Sequence, residues 1–433
     1  MKALHALIWC AGLLGLGPLV AGPAGADSGV ALLGDEFQVN TFTSQNQSFP
    51  HVAVAPDGRS VAVWESVDQD NSGDAVMARR YDAAGSPVGD EFVVNSHTTN
   101  HQSQASVTMA ADGSFIVLWR SQAQDGDGWG SYAQRFDASG KAVGNEFRVN
   151  EETENNQENP FAAIGPAGHM MVVWESEEQD GSTGGIYGRV YDPAGLAGDE
   201  LRINTTTQGW QNDVEIAATP TGFVVTWESL NVDSDFRAVV LRRYSFAGVP
   251  LGGEQLVNVT EAGNQNNAVV AVQPDGRFMI AWESDGQDGS EATVIARFFS
   301  ANGTPTSGEI QLNQTTPGDQ EHLSVAADGL GGYVVVWDGE AASGGSFDEI
   351  WGRRVLANGT LCGDEFRINT STSNRQVYPT VSSSADGVLM ALWHSWTGDG
   401  SGTRVVGQRL RVNRLFSDGF ESGDFSEWSA VGP

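Results

Sequence analysis

"GDEFQVN" occupies residues 34–40, and near-copies recur as GDEFVVN at 89–95, GNEFRVN at 144–150, GDELRIN at 198–204 and GDEFRIN at 363–369. The heptad alternates: Phe37 and Val39 fall on one face of an extended chain, Glu36, Gln38 and Asn40 on the other. One buried and one wet face is the pattern of a strand at the outside of a sheet. In the later copies the heptad closes a unit, so the copy at 34–40 is a closing strand with no unit before it.

Two further markers keep the same beat. Trp64, Trp119, Trp174, Trp227, Trp282, Trp337 and Trp393 lie 53 to 56 residues apart, each ending an apolar run such as "SVAVW" or "YVVVW". Gln47, Gln102, Gln157, Gln211, Gln265, Gln320 and Gln376 keep that period, as do the asparagines that close the heptads. A repeat counted seven times by three markers indicates a repeat architecture. Within one unit the reading is four strands and no helix: a over His51–Ala55, b over Ser60–Glu65, c over Ala75–Asp82 and d over Glu91–Asn95. Val, Ile, Phe and Trp fill the strands, and Gly, Asp and Asn punctuate them about every ten residues.

Strand a is built of small residues in most units, which suits the crowded axis of a ring. The expected fold is an all-β, seven-bladed β-propeller with four antiparallel strands per blade, spanning residues 27–413. The seventh unit has strand a near Tyr378–Ser384, strand b ending at Trp393 and strand c over Thr403–Arg411, but no closing heptad. Glu36–Asn40 is therefore expected beside Val405–Leu410, completing the last blade and removing two open sheet edges.

The two ends read differently. Lys2, the apolar stretch Ala6–Val20 and Ala24-Gly25-Ala26 form the pattern of a secretory signal peptide over residues 1–26, cut after Ala26. The expectation is a secreted or cell-surface protein with no integral membrane span after cleavage. Only Cys362 then remains of the two cysteines, so an intrachain disulfide is excluded. Residues 414–433 form an acidic tail. The chain carries 55 acidic against 23 basic residues, a formal charge of −32. That charge repels nucleic acid and anionic membrane and favours a soluble chain, expected here as a monomer.

In such a ring the d–a and b–c connections share one face, and here they are long and varied, whereas the opposite turns are short and uniform. Recognition is expected on the variable face. The seven periodic glutamines precede strand a and have two readings: a polar collar for a ligand, or amides bonded within and between blades. Trp129, Trp210 and Trp396 break the period and lie in loops of that face, as do Phe236 and Phe347; they could stack on a sugar or anchor a protein, or pack on a neighbouring loop. The tryptophans that keep the period read as packing wedges, and the arginine pairs at 79–80, 242–243 and 353–354 as partners of nearby carboxylates. Asp68, Asp70 and Asp74, with Asp125 and Asp127 in the next unit, offer alternating oxygen ligands in Gly-containing loops that suit Ca²⁺; Asp and Gly also make ordinary turns. Asp180, Asp288 and Asp399 keep less of the pattern. No nucleophile elbow, H-E-x-x-H motif or phosphate loop is present, and no spacing singles out a carboxylate pair.

The unit "VVWES…QDGS…YGR.YD..G…GDE.RIN" resembles a repeat of secreted and surface proteins of bacteria, often found beside calcium-binding repeats. The resemblance spans residues 34–413 and implies an architecture and a location rather than an activity. The tail "FSDGFESGDFSEW" at 416–428 resembles a short terminal motif of exported Gram-negative proteins. The leading functional expectation is a non-enzymatic propeller that binds a polysaccharide or an extracellular protein, with Ca²⁺ as a supporting ion. The alternatives are an extracellular glycan-active hydrolase or lyase and a structural or adhesive surface module.

Overall fold

A computed structural model describes residues 28–230, 232–233, 236–340, 347–397 and 402–413. The signal-peptide and tail assignments at 1–26 and 414–433, and Asp399, lie outside the described residues. The described strands form seven four-stranded antiparallel sheets. Blade one runs from the inner strand a, Gln47–Val54, through b, Ser60–Val67, and c, Asp74–Tyr81, to the outer strand d, Phe92–Val93. The pairing of the short outer strand continues beyond Val93, with Val94 N donating to Val76 O at 2.8 Å.

The orphan heptad closes the ring. Val30–Gln38 pairs antiparallel with Thr403–Val412, Phe37 opposite Gly407 and Gln38 opposite Val406, and the sheet is completed by Val388–Trp396 and Gln376–Ser383. The closing strand begins six residues earlier than Glu36, because Val30–Leu33 also pairs, with Leu410 and its neighbours. Asn40 was expected on the wet face and is instead buried: its Oδ1 accepts from Val405 N at 2.9 Å and its Nδ2 donates to Phe42 O at 2.7 Å. Asn95 makes the same bond to Val76 N, Asn150 to Ser131 N and Asn204 to Ile186 N, so this side chain caps the edge of strand c where the outer strand ends.

Glu36 also repeats a blade-to-blade clamp. Glu91 accepts from Thr41 and Phe42 N, and Glu309 from Val259 and Thr260 N, each binding the chain as it leaves the previous heptad. Glu36 does this for Thr370 and Ser371, where the chain enters the seventh blade. One heptad thus carries the strand, the cap and the clamp of a blade whose other strands come from the far end of the chain.

The core consists of seven clusters, one at each blade interface. All seven periodic tryptophans are fully buried, each wedged against the preceding blade; Trp64 packs with Val39, Met390, Leu392 and Val405 across the closure. Replacing such a side chain by alanine costs about 3–5 kcal/mol. The arginine pairs depart from expectation. Arg79, Arg242 and Arg353 donate to the carbonyls of Val39, Ile203 and Leu312 in the preceding heptad, and Arg243 to Ala301 O. Of these pairs only Arg354 meets a carboxylate, Asp328, at 2.8 Å in a fully buried pair. The heptad carbonyls lie beyond the last paired rung, and an arginine reaching across the interface satisfies them. No helix among the described residues is long and apolar enough to cross a membrane.

Candidate functional site at the axial mouth

Each inner strand starts with the periodic glutamine, makes two ladder contacts with strand b, then loses register for two residues; in blade one the shift falls between Ser48 and His51. The same bulge occurs in all seven blades. Two residues after each glutamine the backbone turns left-handed, with φ between 48° and 55°, at Phe49, Gln104, Asn159, Asp213, Asn267, His322 and Tyr378. A bulge re-aims the side chain it carries. All seven of these side chains line one cavity of about 470 Å³ at the axial end of the variable face. A deeper cavity of about 230 Å³ continues along the axis, and His51, Phe161, Glu215, Val269, Ser324 and Thr380 border both.

A second ring supports the first. The residue after each periodic tryptophan is Glu65, Arg120, Glu175, Glu228, Glu283, Asp338 or His394. Its side chain accepts the backbone N–H of the next blade's bulge residue in six of seven cases: Glu65 from Gln104 at 2.5 Å, Glu175 from Asp213 at 2.8 Å, Glu228 from Asn267 at 2.7 Å, Glu283 from His322 at 2.6 Å, Asp338 from Tyr378 at 2.9 Å, and His394 Nδ1 from Phe49 at 3.4 Å. Arg120 makes no such bond; its Nε donates to Ser103 Oγ at 2.9 Å, its Nη1 faces Glu158 at 3.1 Å, and its guanidinium lies over Trp129.

Burial dominates the electrostatics. It lifts the Glu65 carboxyl to about 7, Glu283 to about 8 and Glu215 to about 8. Glu175 and Glu228 are raised by burial and by the Asp213 carboxylate between them. Burial also holds His51 and His394 neutral, each lowered to about 4. Burial disfavours charge on His322 as well, but Asp338, 3.1 Å from its Nδ1, outweighs it and raises this ring. On this side of the rim the rings of Phe49, Tyr378, His322 and His394 form one contiguous group, with Phe49 and Tyr378 edge-on at 4.8 Å.

The periodic glutamines lie behind this surface, essentially unexposed. Gln47, Gln211, Gln265, Gln320 and Gln376 accept from the indole N–H of the tryptophan in their own blade, Trp64 to Gln47 at 3.1 Å for example. Gln102 and Gln157 accept instead from Asn95 and Asn150. Trp129, Trp210 and Trp396 do not line the mouth; Trp129 begins strand c of its blade and Trp396 ends strand b rather than lying in loops as expected, Trp210 lies against Gly184, and Trp210 and Trp396 are about half exposed. Phe236 and Phe347 are exposed in b–c loops.

The aspartates proposed for Ca²⁺ do not converge. Asp70 accepts from Ser72 N and Asn95 Nδ2, Asp74 pairs with His101 at 2.8 Å, and Asp68 sits at the left-handed corner of its turn. Asp127 accepts from Asn155 N, while Asp125 is buried 3.9 Å from Arg148. Among the described residues no group of three or more His, Cys, Asp or Glu is placed to hold a metal ion. Asp70 and Asp180 each take the amide of the heptad asparagine, whereas both Asp125 oxygens are buried with no hydrogen-bond partner.

No family model matches the chain, and no curated protein matches it. Solved structures share its fold. The polysaccharide lyase Uly1 superposes with a TM-score of 0.54 at 9% identity, over 88% of this chain and 100% of that one. A protein of unknown function from Dyadobacter fermentans DSM 18053 gives 0.51 at 13% identity, over 89% and 100%. The α-L-arabinofuranosidase Arb93a from Fusarium graminearum, solved with an iminosugar inhibitor, gives 0.50 at 12% identity, over 87% and 98%. At these identities the likeness is one of fold. The chain is a seven-bladed β-propeller, and a polysaccharide lyase and an α-L-arabinofuranosidase are among the structures that resemble it in fold.

Proposed function

We propose that the protein is an exported glycan-binding propeller whose ligand enters the axial mouth. The observation that carries this reading is the ring of seven bulge residues. Left-handed backbone suits Asn159, Asp213 and Asn267, but costs roughly 1–2 kcal/mol at Phe49, Gln104, His322 and Tyr378. The bulge is architectural and present in every blade; the choice of side chain is not, and those four stand against their backbone preference. Together they place two exposed aromatic rings beside amides, a carboxylate and an imidazole around one opening, the groups that stack on sugar rings and bind hydroxyls. The signal-peptide pattern at 1–26 supports the extracellular setting in which such ligands occur.

The test is isothermal titration of the mature chain against a panel of soluble oligosaccharides. Phe49→Ala and Tyr378→Ala should each weaken the best ligand at least tenfold with an unchanged melting temperature. Undiminished affinity in both variants would overturn the mouth as the site.

Hydrolysis is the second reading, favoured by one observation. Glu215, at the floor of the mouth, is held protonated at neutral pH by burial, two residues from the Asp213 carboxyl that lines the same cavity. A protonated carboxyl and a second carboxylate are what glycoside cleavage requires. If oligosaccharide products accumulate with the parent chain and Glu215→Gln abolishes them while retaining binding, the protein is an enzyme.

A further inference from the structure

Resting on the glycan reading of the mouth, we propose that it selects glycans bearing free amines, glucosamine-type oligomers, over N-acetylated and uronate-bearing ones. The argument starts from which charges at the opening are already matched. Arg120 is the one arginine among the residues that line the mouth, and no lysine lines it. Its guanidinium is engaged by Ser103, Glu158 and the Trp129 ring. Nearby, Arg237 pairs with Glu228 at 2.8 Å and Arg375 with Asp348. A uronate carboxylate entering here meets no uncommitted cation, so although one structural neighbour is a polysaccharide lyase, an anionic polysaccharide is poorly matched.

The acidic side chains of the lining have no cationic partner among the described residues, and Asp213 accepts from an amide, Asn212 Nδ2, at 2.7 Å. Glu65, Asp213 and Glu215 line the cavity. Glu65 accepts from the Gln104 N–H, and Glu215 only from the N–H of Ile216 at 3.3 Å; neither has an ion-pair partner among the described residues. At the wall, the Gln104 side-chain oxygen is buried and meets no donor. Above them the exposed rings of Phe49 and Tyr378 present π-faces and edges at the rim, a surface that attracts a cation as well as a sugar face. The lining also carries the amides and hydroxyls of Asn159, Asn267, Ser324 and Thr380, which suit a sugar's hydroxyls, beside apolar Phe161, Val269 and Leu323, which suit its C–H faces. Burial of the carboxyls also gives binding a signature: Glu65 and Glu215, raised to about 7 and about 8, hold protons at neutrality that an arriving ammonium displaces.

The experiment titrates the mature chain at pH 7 with glucosamine hexamer, N-acetylglucosamine hexamer, galacturonate hexamer and trilysine, in two buffers of different ionisation enthalpy. The expected result is at least tenfold tighter binding of the glucosamine hexamer than of the acetylated one, with proton release for the first only and no binding of galacturonate. Asp213→Asn, at a backbone position that suits Asn, and Glu65→Gln, which keeps the acceptor for Gln104 N, should each reduce that preference, weakening the glucosamine hexamer more than the acetylated one. Equal or tighter binding of the acetylated hexamer or of galacturonate overturns the amine preference while the glycan reading stands. Binding of trilysine alone overturns both, since the ligand is then a basic peptide.

Discussion

Ring closure by the heptad is tested most sharply by Asn40→Ala. The substitution leaves the strand itself intact and removes only its cap. In the folded protein Asn40 Oδ1 accepts the Val405 N–H at 2.9 Å and Nδ2 donates to Phe42 O at 2.7 Å, and Asn40 is 2% exposed. Alanine leaves a buried N–H and a part-buried carbonyl without partners, a loss of about 2–4 kcal/mol. Spread over the unfolding entropy of a chain this long, that is a fall in melting temperature of roughly 2–5 °C. Asn95→Ala is the matched control, because Asn95 makes the same bond to Val76 N at 2.9 Å within a blade whose strands are contiguous in sequence. Thermal melts of both variants beside the parent should show falls of similar size. If Asn95→Ala is destabilised and Asn40→Ala melts with the parent, the heptad at 34–40 does not complete the seventh blade.

Three further outcomes are expected. Burial raises the Glu215 carboxyl to about 8, so the folded state binds more protons than the unfolded one across the range between its ordinary value and 8; its contribution is full at acid pH and lost as pH rises, and Glu215→Gln should flatten the decline in melting temperature between pH 5 and 9. Asp328→Ala leaves Arg354 buried without a counter-charge and removes the acceptor for Leu330 and Gly332 N, and should lower stability by about 3–5 kcal/mol in urea titrations. Cys362 is buried and its thiol is pushed up by that burial, so a thiol reagent should label the native chain slowly and the urea-unfolded chain at once.

Most of the architecture was legible because each marker does one structural job in most or all of the blades. Tryptophan fills the interface, glutamine holds its indole in five blades, and the heptad asparagine caps strand c. A side chain with the same task seven times recurs at the same spacing, and spacing is what a sequence displays. The same logic accounts for the burial of the glutamines: constancy marks the side chains that the blades enclose. Arg79, Arg242 and Arg353 meet carbonyls rather than the expected carboxylates for a related reason, while Arg354 does meet one in Asp328. Arg79 lies near many carboxylates in sequence, but its partner is the Val39 carbonyl, forty residues earlier and across an interface.

The mouth was hidden by the bulge. Strict alternation along "QSFPHVAVA" puts Gln47, Phe49 and His51 on one face, so a site residue and a buried structural one look alike. The left-handed turn at Phe49 breaks that alternation, enclosing Gln47 while Phe49 and His51 border the opening. One signal could have located it: the position two after the glutamine is fixed in spacing but reads Phe, Gln, Asn, Asp, Asn, His, Tyr. A constant offset with changing chemistry is what a ring of recognition residues on a symmetric scaffold must produce, because the scaffold repeats and a single ligand does not. The residue after the tryptophan, a glutamate in four blades, completes the device in all but the second blade. It binds the backbone of the bulge rather than its side chain, so the bulge is held in place whatever residue it carries, and the mouth can vary without disturbing the ring.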